Sequence, residues 1–167
     1  MGQVSTTDEI ISAKWMKLVV NTMCLGPLAM LGLTLYEAMK VPGMREFTLR
    51  AGTEALAVGQ SLGHTIQPIF GLTPDDVKDT NRLLEKMLDK LAADIGPAAR
   101  DCVLQDHLKG RYSEVDLING LVVEESERLG HVSPVNAAIT EITRRIQAGE
   151  LDPDPSNLDL AREMMSA

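Results

Sequence analysis

The sequence predicts an all-α fold, on three observations. Aromatic residues make up only 3% of the chain, and its long segments are rich in Ala, Leu, Met, Glu, Lys and Arg, which are strong helix formers. Apolar residues recur at helical spacing, and no alternating strand pattern runs beyond a few residues. Gly and Pro stand where helices would stop and start. With 167 residues and 44% apolar content, the chain is long enough to bury a core of its own, and a single domain over 1–167 is expected.

Each element has its own punctuation. Thr6 and Glu9 form a capping box that opens a first helix, which Gly26-Pro27 ends, because proline lacks a donor and disfavours a helical residue before it. A short helical stretch leads to Val41-Pro42-Gly43. A long periodic segment through Met44, Phe47, Leu49, Ala55, Leu56, Val58 and Leu62 then ends at Gly63. Thr73-Pro74-Asp75-Asp76 supplies an N-cap, a first-turn proline and early acids to a helix reaching about Ile95. Further helices are expected over Ala98 to Leu108, from Glu114 behind a Ser113 cap to Leu129, and from Ser133-Pro134 to Gly149. The acidic, Pro-rich stretch Glu150 to Pro155 reads as a loop before a short terminal helix after Ser156.

Charge narrows the function classes. A net charge of −8 with no Lys/Arg cluster disfavours nucleic acid and anionic membrane. The best candidate for a bilayer span is interrupted by Lys14, Lys17 and Asn21, short of the roughly 18 to 20 apolar residues needed, and Met1 to Ser5 lacks the apolar region of a signal peptide. Cys24 and Cys102 have no disulfide-framework or metal spacing, so free thiols and a cytoplasmic setting are the expectation. His64, His107 and His131 sit at helix ends or turns, read as solvated, and show no metal-binding spacing. Neither G-x-G-x-x-G nor G-x-x-x-x-G-K-[ST] occurs, so the sequence shows no dinucleotide or nucleotide cradle.

The first helix carries the candidate chemistry. Lys17 and Asn21 lie four residues apart and stack on one face, with Lys14 one turn before. Ile11, Trp15, Leu18, Val19, Val20 and Met23 fill most of the remaining circumference, which predicts a helix buried nearly all round. A buried ammonium without a partner costs several kcal/mol, so Lys17 is expected to face a carboxylate, a wet cleft or a ligand. Elsewhere, Cys102 reads as a small buried hydrophobe, Asp116 as the capping-box partner of Ser113, and Asn119 as structural. Met23, Met30, Met39 and Met44 read as adaptable core.

The run Lys14-Trp15-Met16-Lys17-Leu18-Val19-Val20-Asn21 followed by Gly26-Pro27-Leu28 resembles the start of the C-terminal domain of ketopantoate reductases (2-dehydropantoate 2-reductases). Leu104-Gln105-Asp106, then Ser113-Glu114-Val115-Asp116-Leu117-Ile118-Asn119-Gly120, is similar to that family's second signature, and Ser133-Pro134-Val135-Asn136 to the start of its final helix. The matches keep their order from Thr7 to Gly149. This resemblance implies a helical domain like those of ketopantoate reductases and 6-phosphogluconate-dehydrogenase-like enzymes. It also implies a partner Rossmann domain that binds NADP, with the 2-oxo acid held in the cleft between the two. On that resemblance the Rossmann domain lies outside this chain, Val4-Ser5-Thr6 reads like the inter-domain stretch, and the chain alone is expected to be inactive. Family members often dimerise, so a homodimer is a further expectation.

The resemblance also assigns roles. Lys17 matches the family's proton donor, Asn21 a substrate-binding amide, and Glu114 a residue that contacts the NADP ribose. Cys102 stands where a substrate-contacting serine is common. The chemistry of the residues agrees: reducing a 2-oxo acid builds negative charge on the carbonyl oxygen, and a lysine supplies both positive charge and a proton while a nearby amide fixes orientation. Glu114 suits either a ribose acceptor or a counter-ion for Lys17. Three positions depart from the family pattern, at Leu25, at Leu35-Tyr36-Glu37 and at Cys102, and each is less polar than expected. Lost hydrogen-bond partners change selectivity by orders of magnitude, so a bulkier or more apolar 2-oxo acid stands beside ketopantoate as the expected substrate. The alternative is a non-catalytic helical module for dimerisation or small-ligand binding.

Overall fold

A computed structural model describes residues 7–78 and 82–166, and those residues form helices and connecting turns without a strand. In chain order the helices are α1 (Ile10–Cys24), α2 (Gly26–Leu31), α3 (Leu35–Ala38), α4 (Met44–Ser61), α5 (Leu83–Asp94), α6 (Cys102–Leu108), α7 (Val115–Arg128), α8 (Pro134–Gln147) and α9 (Asn157–Met164). The all-α expectation therefore holds. Gly63, Gly130 and Gly149 follow α4, α7 and α8 with positive φ, as helix-stopping glycines do.

The α1–α4 seam organises the bundle. Both helices bring their small or adaptable residues to it: Gly52 faces Met23, and Gly59 faces Trp15. A Cβ at Gly59 would stand 2.1 Å from Trp15 Nε1, so only glycine admits the indole, whose N–H donates to the Ala55 carbonyl at 2.9 Å. Because rising numbers on α1 meet falling numbers on α4, the two helices run antiparallel. Beside this seam, Met23, Met30, Met44, Leu88, Ile139, Ile142 and Leu158 make the main core, and a smaller cluster joins Val19, Ala55, Val58 and Val122.

A buried polar knot ties α1, α4, α7 and α8 together. Asn119 and Asn136 are both fully buried. Asn119 Nδ2 donates to the Thr22 carbonyl (3.2 Å) and to Asn136 Oδ1 (2.9 Å), while Asn136 Nδ2 donates to the Ala51 carbonyl (3.1 Å) and to Glu54 Oε2 (2.8 Å). The Glu54 carboxylate also accepts the Val135 and Asn136 backbone N–H groups, each at 3.0 Å, and so caps α8 from another helix. Asn119 is thus structural, as its sequence context predicts.

Several boundaries differ from expectation. Thr6 lies outside the described residues. The N-cap of α1 is Glu9, whose Oε2 accepts from Ser12 Oγ at 3.1 Å. Thr73 and Asp76 do exchange capping hydrogen bonds (2.9 and 3.3 Å), yet residues 74–78 form only turns and the regular helix begins at Leu83. That segment has too few apolar residues to hold a helix on the core. α6 begins at Cys102, not Ala98, because Asp101 is its cap. Asp116 closes no box with Ser113: it accepts from Arg144 Nε at 2.7 Å, while Ser113 Oγ accepts from Gln147. No helix among the described residues is long and apolar enough to cross a membrane.

Candidate functional site

α1 presents two unlike faces. One is sealed into the seam by Trp15, Val19 and Met23. The other leaves Ile10, Ile11, Lys14 and Lys17 exposed, so the expectation of burial nearly all round is corrected. Nothing among the described residues covers that strip. Lys17 is exposed, and Asn21, one turn on, is half-buried. Lys17 forms no ion pair among the described residues, with Glu114 or any other carboxylate. An exposed ammonium keeps its hydration, which removes the need for a buried counter-ion.

The flank of the same face joins it to the other candidates. Leu18 and Leu25 pack against a cluster of Ala29, Val103, Leu104 and Ile118, which belong to α2, α6 and α7. That packing brings the start of α6, at Cys102, and the start of α7, at Glu114, to the flank of α1. Burial raises the Cys102 thiol above its usual range, and the charges of Asp101 and Glu114 add to the effect. Cys102 is nevertheless exposed, which corrects its reading as a buried hydrophobe. Glu114 is exposed at the N-cap position of α7, with no side-chain capping bond of its own. Its carboxylate forms no ion pair among the described residues, which leaves it open to an external hydroxyl.

Asp101, which the sequence did not single out, is the most perturbed carboxylate of this region. One oxygen accepts the Leu104 N–H at 2.9 Å, while Oδ2 is buried with no hydrogen-bond partner among the described residues. Burial pushes its carboxyl up to about 6, against the pull of the Leu104 and Val103 N–H groups, and Asp106 adds to the rise. Next to it, burial pushes the Cys24 thiol up to about 12, with Asp101 contributing. An Asp ahead of an apolar run is an N-cap signal, but its burial depends on tertiary packing, with α6 lying against α2.

The histidines also differ from expectation. His64 stacks on Trp15, with ring centroids 5.1 Å apart. Both ring nitrogens of His107 are buried without a well-formed hydrogen bond among the described residues, and burial lowers its pKa against the opposing pull of the Ala29 backbone and Asp106. His131 is exposed, as expected. The largest groove described, about 850 Å³, runs between α7 and α8, and none of Lys17, Asn21, Cys102 and Glu114 lines it. In this chain those four residues belong to an open surface.

The fold of this all-helical bundle is similar to part of solved structures described as reductases and a dehydrogenase. Over residues 9–147 the chain matches the family described as ketopantoate reductase PanE/ApbA C terminal, and it belongs to that family. It is 26% identical over 145 residues to the 2-dehydropantoate 2-reductase of Pyrobaculum aerophilum, a match covering 86% of this chain and 46% of that protein. Its fold is similar to the PanE/ApbA family ketopantoate reductase of Ralstonia eutropha (TM-score 0.74, 24% identity, 88% of this chain and 44% of the other). It is also similar to a D-mandelate dehydrogenase solved with NADH and anilino(oxo)acetate (TM-score 0.72, 17% identity, 86% and 43%). A third similar fold is the dimeric ketopantoate reductase of Staphylococcus aureus (TM-score 0.71, 17% identity, 89% and 47%). The chain spans less than half the length of each of these proteins.

Proposed function

We propose that this chain is the helical, substrate-binding part of a nicotinamide-dependent 2-oxo-acid reductase that uses NADPH. The observation that carries the reading is the open α1 face: an exposed Lys17, in no ion pair among the described residues, one turn from Asn21, with the starts of α6 and α7 packed beside it. When bound, the nicotinamide supplies a hydride to the carbonyl carbon of the 2-oxo acid. Lys17 then acts as general acid, polarising the carbonyl oxygen and giving it a proton. Asn21 orients the acid through neutral hydrogen bonds, and Cys102 contacts the substrate from the start of α6. Glu114, exposed and uncommitted, suits acceptance from ribose hydroxyls better than pairing with Lys17, with which it forms no ion pair. No sequence cradle for the pyrophosphate occurs in the chain, so a Rossmann domain is proposed to hold most of the cofactor, and Lys17 faces the cleft that domain closes.

The substrate is proposed to be 2-dehydropantoate or a bulkier 2-oxo acid. Leu25, four residues past Asn21 and half-buried against the Val103–Leu104 cluster, puts an apolar side chain at a departure from the family pattern, and this supports the bulkier class. The test is oxidation of NADPH and NADH in the presence of 2-dehydropantoate and a panel of bulkier 2-oxo acids, by this chain joined to its nucleotide-binding domain, beside Lys17→Ala. Turnover that collapses in the variant supports the reading. A folded, NADPH-binding protein that reduces no acid overturns it and leaves a non-catalytic helical module.

A further inference from the structure

We infer that the groove between α4 and the C-terminal end of α7 binds a primary ammonium group carried on a short apolar body. The groove holds about 620 Å³, and Glu54, Ser126 and Ser133 stand in its lining. Ser126 shares the face of α7 that carries Val122 four residues earlier, and Val122 packs on Ala55 and Val58 of α4. Ser126 is fully buried and Ser133 is 5% exposed, yet neither hydroxyl has a hydrogen-bond partner among the described residues. Ser133 occupies the N-cap position of α8 without a side-chain capping bond, and Glu54 takes the Val135 and Asn136 N–H groups instead. A buried hydroxyl without a partner costs free energy. Two of them in one groove mark a place where the polar group of a ligand belongs.

Electrostatics choose the ligand. Glu54 Oε2 accepts from the Asn136 N–H and from Asn136 Nδ2, while Oε1 accepts only the Val135 N–H, so Oε1 keeps a lone pair for another donor. α7 brings the negative end of its dipole to the same place, since Gly130, two residues past the helix, lines the groove. His131 is the one basic side chain of the lining, and it is exposed. Two hydroxyl oxygens and one carboxylate oxygen make three acceptors, which matches the three N–H donors of a primary ammonium. An anion would meet the Glu54 carboxylate, and a neutral polyol would gain nothing from the helix end. Ala57, Val58 and the 83% exposed Val132 supply apolar wall for a short hydrocarbon body.

The probe is butylammonium chloride, titrated at constant pH and ionic strength into this chain and followed by amide NMR, beside tetramethylammonium chloride and butanol. Butylammonium should shift the amides of residues 53–61 and 126–133 in a saturable way, with a Kd of about 1 mM or tighter. Tetramethylammonium has the charge without an N–H, and butanol has the chain without the charge; each should bind about tenfold or more weakly. Ser126→Ala and Ser133→Ala should each weaken butylammonium about tenfold. Each removes a hydroxyl that has no partner among the described residues, so both variants should fold, and circular dichroism checks that they do. No saturable shift up to about 100 mM, an equal response to either comparison compound, or binding indifferent to both serine substitutions overturns the inference. None of these results depends on the reductase reading.

Discussion

Asp101→Asn should stabilise the domain at neutral pH and do nothing for it in acid. In the folded state the Asp101 carboxyl titrates at about 6 against an ordinary 3.8, chiefly because it is buried. At about 1.4 kcal/mol per tenfold difference in proton affinity, that gap comes to about 3 kcal/mol. The folded chain binds the proton more tightly than the unfolded chain does. The contribution of the group is therefore fully present below about pH 4 and is lost as pH rises through 6. Asparagine keeps the N-cap acceptor for the Leu104 N–H and carries no charge at any of these pH values. It leaves an amide where Oδ2 already lacks a partner, a cost of about 1–3 kcal/mol that it shares with the protonated acid. The expected result is a gain of about 1–3 kcal/mol at pH 7.5, shrinking to about a third of that at pH 4.5 and toward zero near pH 3. Urea denaturation followed by circular dichroism at the two higher pH values measures it. A variant less stable by the same amount at both would sink the reasoning, because it would mean that the ionised carboxylate supports the α6 N-terminus more than its burial costs.

The remaining predictions separate framework from chemistry. Lys17→Ala should change urea stability by no more than about 0.5 kcal/mol, since Lys17 is exposed and forms no ion pair among the described residues, while removing turnover in the enzyme that contains this chain. Asn119→Ala removes the donor for the Thr22 carbonyl and Asn136 Oδ1 in a fully buried place; a loss of about 2–4 kcal/mol by chemical denaturation is expected, and a loss under about 0.5 kcal/mol would show the knot to be dispensable. Gly59→Ala puts a methyl into the indole of the sole tryptophan; it should cost about 1–3 kcal/mol and shift Trp15 fluorescence. An unshifted spectrum would contradict the tight seam. Of the two thiols, only exposed Cys102 should react readily with a disulfide reagent at pH 8, because Cys24 is buried and pushed up to about 12.

Glycine and proline made the long helices legible. Gly63, Gly130 and Gly149 end α4, α7 and α8 for reasons carried by each residue's own backbone, as does Pro134 at the start of α8. The boundaries that slipped lie where a local signal met no tertiary support. Thr73 and Asp76 cap a turn that lacks an apolar stripe to extend it, and Asp116 found Arg144 on α8 rather than Ser113. In the candidate site, the Lys17–Asn21 spacing follows from helix geometry alone. Whether that stripe is covered depends on what packs over it, and the apolar neighbours around it suggested a burial that α1 does not have. Asp101 and the Asn119–Asn136 knot are farther still from local pattern. A buried carboxylate looks like a surface cap until α2 packs against α6, and two asparagines 17 residues apart announce no hydrogen bond.

The division of α1 into a sealed face and an open one has a consequence for how such a domain can diverge. Trp15, Val19 and Met23 are committed to α4, where a glycine on the partner helix leaves no slack for a different side chain. Positions 14 and 17 are exposed and answer to no such neighbour among the described residues, and position 21 is only half-buried. Selection can exchange what the open face offers while the bolted face keeps the helix at the same height and angle. Relatives that share the chemistry should therefore keep Lys17 and vary around it on the open side while holding still along the sealed one, with the folding problem and the recognition problem written on opposite faces of the same fifteen residues.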